Sequence, residues 1–156
     1  MHLLERMKLS AFTDYSLRLL MYLAAEPSRR ATIAEVAQAF DIAENHLSKV
    51  AHALGRAGWL ANVRGKGGGL ALAQSPADIV VGAVVRYTER GDLPAACFGD
   101  EARPCPIARS CRLRGVLGEA VDAFHAVLDR YTLADLARHP RTLAQLRGLQ
   151  APVRLS

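Results

Sequence analysis

The chain has no apolar run long enough to cross a membrane. Its longest clean one, Ile79 to Val85, falls far below the roughly 18 residues a span needs. It has no convincing secretory leader, because residues 1–8 lack an apolar stretch ahead of a small-residue cleavage site. It has no fourth cysteine: the 3 present cannot all pair with one another. An odd count without an export signal points to the reducing cytoplasm and to no membrane partner. No C-x₂₋₄-C pair occurs, which weakens a structural zinc reading. No G-x-x-x-x-G-K-[ST] run occurs, which weakens a nucleotide cradle. His2, His46, His52, His125 and His139 are scattered, and no acid–base or nucleophile constellation is visible, so an enzyme is not expected. Internal repeats and low-complexity tracts are absent too.

What remains is 156 residues, 51% hydrophobic and 22% charged, the composition of one folded domain with room for an appended helical arm. Lys and Arg number 20 against 15 for Asp and Glu. The excess favours an anionic partner, nucleic acid first.

All three cysteines lie in one stretch, C-F-G-D-E-A-R-P-C-P-I-A-R-S-C, from Cys97 through Cys105 to Cys111. Pro104 and Pro106 flank the middle one, and proline removes a backbone donor and fixes φ, so a loop is predicted there. A helix is predicted to begin at Cys111, with Ser110 as its N-cap. A thiolate at a helix N-terminus is stabilised by the local positive potential, and Arg109, Arg112 and Arg114 add to it. Thiolates are soft ligands that select zinc, copper(I) or iron–sulfur clusters. A cluster usually takes four protein ligands, so a fourth would come from elsewhere. Inert buried thiols, or one disulfide with a spare cysteine, remain open on the residues alone.

Helical spacing predicts a first helix over Thr13–Glu26, capped by Thr13 and burying Leu17, Leu20, Met21 and Ala24. Asp14 falls in its first turn, where the helix dipole favours a carboxylate. The sequence T-I-A-E at 32–35 is a capping box that opens a second helix with Ile33, Val36, Ala37 and Phe40 inward. Asp41-Ile42 turns the chain into a third helix over Ala43–Ala57, with Leu47, Val50, Ala51 and Leu54 inward. Together they predict a helix-turn-helix. Glu44, Asn45, His46, Ser48 and Lys49 on its exposed face can reach base edges or phosphates. Two short strands, Trp59–Val63 and Leu70–Ala73, flank R-G-K-G-G-G. Arg64 and Lys66 charge the tip of that hairpin, which predicts a wing touching phosphates or the minor groove. The alternative is an ordinary helical hairpin with a solvated face. A linker at 75–78, a short helix over Val81–Glu89 and a long helix from Cys111 to about Arg130 follow. The long helix carries Leu113, Val116, Leu117, Ala120, Val121, Phe124, Val127 and Leu128 as a stripe too long for a small head to cover, so a partner helix is expected.

The fold class is therefore mainly α with a small β-wing: a winged helix-turn-helix domain over 8–78, a connecting helix and cysteine loop over 79–111, a dimerisation helix with a short following helix over 111–138, and a weakly periodic, mobile tail over 139–156.

Four segments, K-L-S-A-F-T-D-Y-S-L-R, V-R-G-K-G-G-G-L-A-L, C-P-I-A-R-S-C-R-L-R and Y-T-L-A-D-L, resemble the iron–sulfur winged-helix repressors, nearest their nitric-oxide-sensing branch, from Lys8 to Leu136. The resemblance implies a homodimer crossed through its long helices on a near-palindromic double-stranded operator. It implies Cys97, Cys105 and Cys111 as ligands of a cluster, [4Fe–4S] favoured and [2Fe–2S] the alternative. Asp14 of the other subunit is implied as the fourth ligand, and nitric oxide as the signal. The first cysteine gap is longer than usual for the family. One branch has a histidine three residues after the last cysteine; Arg114 stands there instead. An iron- or redox-responsive regulator of the same family is the alternative reading.

Overall fold

A computed structural model of the chain describes residues 9–89, 106–107 and 110–150. Among these it is mainly helical with one small sheet, as the sequence predicts. No helix among the described residues is long and apolar enough to cross a membrane.

Helix α1 (Ala11–Ala25) runs through the centre of the head. Ser10, not Thr13, caps it, its hydroxyl accepting from the Thr13 N–H. Thr13 is instead fully buried, as is Ser16. Leu19, Leu20, Tyr22, Leu23, Ala24 and Ala25 form its buried face. The expected Leu17 and Met21 pack only on the rim, so the true stripe is rotated and wider than the spacing suggested. Burial on nearly all sides of the second half of α1 reflects neighbours supplied from distant parts of the chain.

Helix α2 (Ile33–Phe40) starts at Thr32, whose hydroxyl accepts from Glu35 N–H. The Glu35 carboxylate turns away from the cap to Tyr22 Oη, which donates to it at 2.7 Å, and to Arg29. Burial and this anionic neighbour push the Tyr22 phenol up to about 12, and Glu35 raises the Arg29 guanidinium. Asp41 closes α2 with φ 54°, a left-handed cap that asparagine and aspartate tolerate better than most. Helix α3 (Glu44–Arg56) then buries Leu47, Val50 and Leu54. Strands β1 (Leu60–Val63) and β2 (Gly69–Leu72) pair antiparallel, Leu60 opposite Leu72 and Val63 opposite Gly69. Ala31 and Leu70 exchange both backbone hydrogen bonds, at 3.1 and 2.7 Å, adding a short third rung to the wing.

The segment at 75–78 is a packed 3-10 turn over Pro76–Asp78 with Pro76 buried, not a loose linker. Helix α4 (Val81–Thr88) buries Val81, Val84 and Val85. Helix α5 (Arg112–Leu128) follows, and no residue in it is buried. Its foot is fixed to α4: Arg86 grips Asp129 through two bonds of 2.6 Å. That guanidinium holds the Asp129 carboxyl below its usual range. Gly82 lies directly beneath; a Cβ there would run into the Asp129 carboxylate and stand 3.0 Å from its backbone nitrogen.

Helix α6 (Leu133–Ala137) has a complete capping box, Thr132 with Asp135, and buries Leu133 and Ala137 in the same core as α1. The expected mobile tail is a correction. Residues Pro140–Leu149 form helix α7, which buries Leu146 and partly buries Leu143. Gln150 Nε2 donates to the Tyr22 carbonyl at 2.5 Å. Only a few inward positions per turn hold α7 in place, too few to register as periodicity.

Candidate nucleic-acid interface and metal centre

The exposed face of α3 is built by subtraction. Leu47, Val50 and Leu54 point into the core, so the intervening Glu44, Asn45, His46, Ser48 and Lys49 are all exposed. The N-cap of α3 is Ala43, with no side-chain cap hydrogen bond. The first N–H groups of α3 therefore stay available to an external acceptor such as a phosphate. His46 is less free than its exposure suggests: its ring stacks on Tyr15 of α1, centroids 6.5 Å apart and planes 20° apart.

Arg64 and Lys66 stand exposed at the wing tip. Gly65 and Gly67 adopt φ 94° and 77°, a region other residues reach only with strain. Arg30 braces the turn, its Nη1 donating to the Gly67 carbonyl at 3.1 Å. Between α3 and the wing lies a groove of about 730 Å³ lined in part by Thr32, Ser48, His52, Arg56 and Asn62. Sequence reading passed over Arg30, His52, Arg56 and Asn62. Ser48, His52 and Arg56 recur every four residues on one helix face, and that signal could have found two of them.

Of the sulfur ligands named from sequence, Cys97 and Cys105 lie outside the described residues. Cys111 is half-buried and its thiol is free. It is itself the N-cap of α5 and makes no side-chain cap bond, so Ser110 is not the cap. Asp14 sits in the first turn of α1, 45% exposed, bonded to Arg18 Nε at 3.0 Å. Arg18 also lies over the Phe40 ring at 5.9 Å. An exposed i,i+4 pair of this kind is worth at most about 1 kcal/mol, so the carboxylate is held lightly. Among the described residues no three His, Cys, Asp or Glu side chains gather as a metal cage.

A helix-turn-helix followed by a braced basic hairpin, on a head with a long external helix, defines a winged-helix transcriptional regulator. Residues 9–139 match the Rrf2 family model, described as an iron-dependent transcriptional regulator, and the chain belongs to that family. It is 44% identical over 141 residues to the HTH-type transcriptional regulator NsrR of Geobacillus kaustophilus, covering 90% of this chain and 96% of that one. Against NsrR of Bacillus subtilis the identity is again 44% over 141 residues, covering 90% and 97%. Among solved structures it resembles CymR, the global cysteine regulator of B. subtilis, with TM-score 0.68, 28% identity and coverage of 85% and 98%. T. potens IscR superposes with TM-score 0.64, 25% identity and coverage of 85% and 87%. These relatives are regulators of transcription, not enzymes.

Proposed function

We propose that this chain is a homodimeric repressor whose grip on a near-palindromic operator is set by an iron–sulfur cluster, with nitric oxide as the signal. The identity to NsrR proteins supports the member. The observation that carries the reading is the first turn of α1. It presents Asp14, and the next residue, Tyr15, stacks on His46 of the recognition helix. A change in what holds Asp14 is thus felt one residue away by the DNA-reading helix.

The donor chemistry fits a cluster. Cys111 offers a free sulfur at a helix N-terminus, where an anion is favoured. Asp14 offers a carboxylate that only a surface pair competes for. Cys97, Cys105 and Cys111 would hold the group, with Asp14 of the partner as fourth ligand; three thiolates and one carboxylate suit [4Fe–4S], and [2Fe–2S] is the alternative. When bound, the cluster supplies iron that nitric oxide consumes. The chain's own residues do the rest. Asp14 exchanges Arg18 for the cluster and steadies α1, Tyr15 passes that order to His46, and α3 keeps its register.

The dimer is carried by α5. Leu113 is 59% exposed, Val116 51%, Phe124 43% and Val127 45%, all along one stripe. Burying each such side chain contributes about 1.5–3 kcal/mol, and a second copy of the same helix offers a matching stripe. Glu44, Asn45, His46, Ser48 and Lys49 would read the major groove, while Arg64 and Lys66 would contact backbone or minor groove.

Anaerobic purification should yield a brown dimer whose visible absorbance collapses on stoichiometric nitric oxide, with operator affinity lost in step. A colourless protein carrying zinc would sink the reading. Cys105→Ala should lose tight operator binding and keep salt-sensitive non-specific binding. The family's description as iron-dependent favours a second reading, a regulator of iron supply or redox state; a response to chelator or peroxide in place of nitric oxide would select it.

A further inference from the structure

The first turn of α1 and the last turn of α4 are joined by a run of hydroxyls of one polarity. Ser10 Oγ donates to Thr13 Oγ1 at 3.1 Å, and Thr13 Oγ1 donates to Thr88 Oγ1 at 2.7 Å. Thr88 Oγ1 donates in turn to the Val84 carbonyl at 3.0 Å. Alongside, the Ser10 N–H donates to Glu89 Oε1 at 2.7 Å. Thr13 is fully buried, so removing its hydroxyl leaves an unmatched partner in a dry place, a cost of about 1–3 kcal/mol. Neither helix needs this clasp to form: Ser10 alone caps α1, and α4 buries three valines.

Its position in the chain gives it meaning. Asp14 follows Thr13 directly, and Glu89 opens directly onto the stretch that leads to Cys97. We propose that Ser10, Thr13, Thr88 and Glu89 are positioning residues that couple the two cluster sites of the dimer. The inference rests on the reading above, in which the cysteines of one subunit share a cluster with Asp14 of the other. Within one subunit the clasp joins the stem of its own cysteine stretch to the carboxylate it lends its partner. Ordering the stem at one site therefore orders the ligand delivered to the other. Linkage makes this reciprocal: filling either site favours filling both, and losing one promotes losing both. Half-filled dimers become scarce, and the response to signal sharpens.

Native mass spectrometry of the anaerobic dimer, loaded with iron and sulfide to half capacity, counts dimers with none, one and two clusters. Independent sites leave about half of the dimers singly loaded. The wild type is expected below about a quarter. Thr13→Val and Glu89→Ala should return the singly loaded share to about half, and Thr13→Ser, which keeps the hydroxyl, should behave as wild type. A merely structural role would lower total loading or Tm while leaving the distribution at matched loading unchanged. A wild type at the independent value, or a valine variant with the wild-type distribution, overturns the coupling. Should Thr13→Val not fold, Thr88→Val takes its place. Hydrogen exchange on the cluster-free protein is the second readout. In Thr88→Val, residues 10–16 and 84–89 should lose protection together; loss in one alone overturns the clasp as a unit. A protein that takes up no iron at all would overturn the proposed function and leave the exchange result standing.

Discussion

Helices α3 and α5 carry apolar residues at the same three-and-four spacing, yet their fates differ. In α3 the stripe of Leu47, Val50 and Leu54 is at most 1% exposed. In α5 an equally regular and longer stripe has no buried residue. Periodicity therefore states that a helix has an apolar face and is silent about what covers it. In α3 the cover is α1 and α2, folded from the same chain. For α5 the chain supplies only α4 at its foot, and the rest of the face awaits a second copy.

Substitutions separate the two cases, starting with the largest effect. Leu47→Ala should destabilise the head by about 2–5 kcal/mol, because it opens a cavity where the chain has no spare atoms to fill it; thermal or urea unfolding of the purified protein checks this. Phe124→Glu on α5 should leave that unfolding almost untouched. It should split the dimer on sedimentation and lower operator affinity by about 100-fold or more, since two half-sites are no longer gripped together. If the variant stayed dimeric with full affinity, the contrast between the helices would disappear.

A third measurement probes α1, which serves both regions. The Tyr22 phenol is raised to about 12, so the folded state holds its proton more tightly than the unfolded chain. The stability this contributes is complete below the ordinary phenol value of about 10 and is lost as pH rises through about 12. Tyr22→Phe should remove that alkaline decline and cost about 1–2 kcal/mol at neutral pH, from the bond lost to Glu35. The smallest effect belongs to Arg18→Ala. Unfolding should shift by under about 1 kcal/mol, as for other exposed pairs, while iron uptake rises slightly because Asp14 loses its competitor; unchanged uptake would remove Arg18 from the account.

Elements set by local chemistry were legible in the sequence: the start of α2 at Thr32, the turn at Asp41, the strands of the wing and the inward residues of α3. What stayed hidden depends on distant partners. The acid of the T-I-A-E box is drawn from its cap by Tyr22 and Arg29, and no spacing rule encodes a bond between positions 22 and 35. Thr13 looked like a cap because threonine often is one; burial against Thr88 makes it an internal strut. Helix α7 was missed because Leu143 and Leu146 are too sparse a signal. At the candidate site, the acid at 14 and the thiol at 111 could be named from sequence. The stack that links the neighbour of Asp14 to the recognition helix could not, because it joins two helices about thirty residues apart.

The fastening of Asp129 between Arg86 and Gly82 has a mechanical result. Helix α5 has 17 residues, a rod of about 25 Å at the usual rise, and its base is bolted to α4 at the close approach over Gly82. A rod so anchored cannot swivel in its socket. A tilt imposed at the Cys111 end reaches the head as torque, with the full length of the rod as its lever arm.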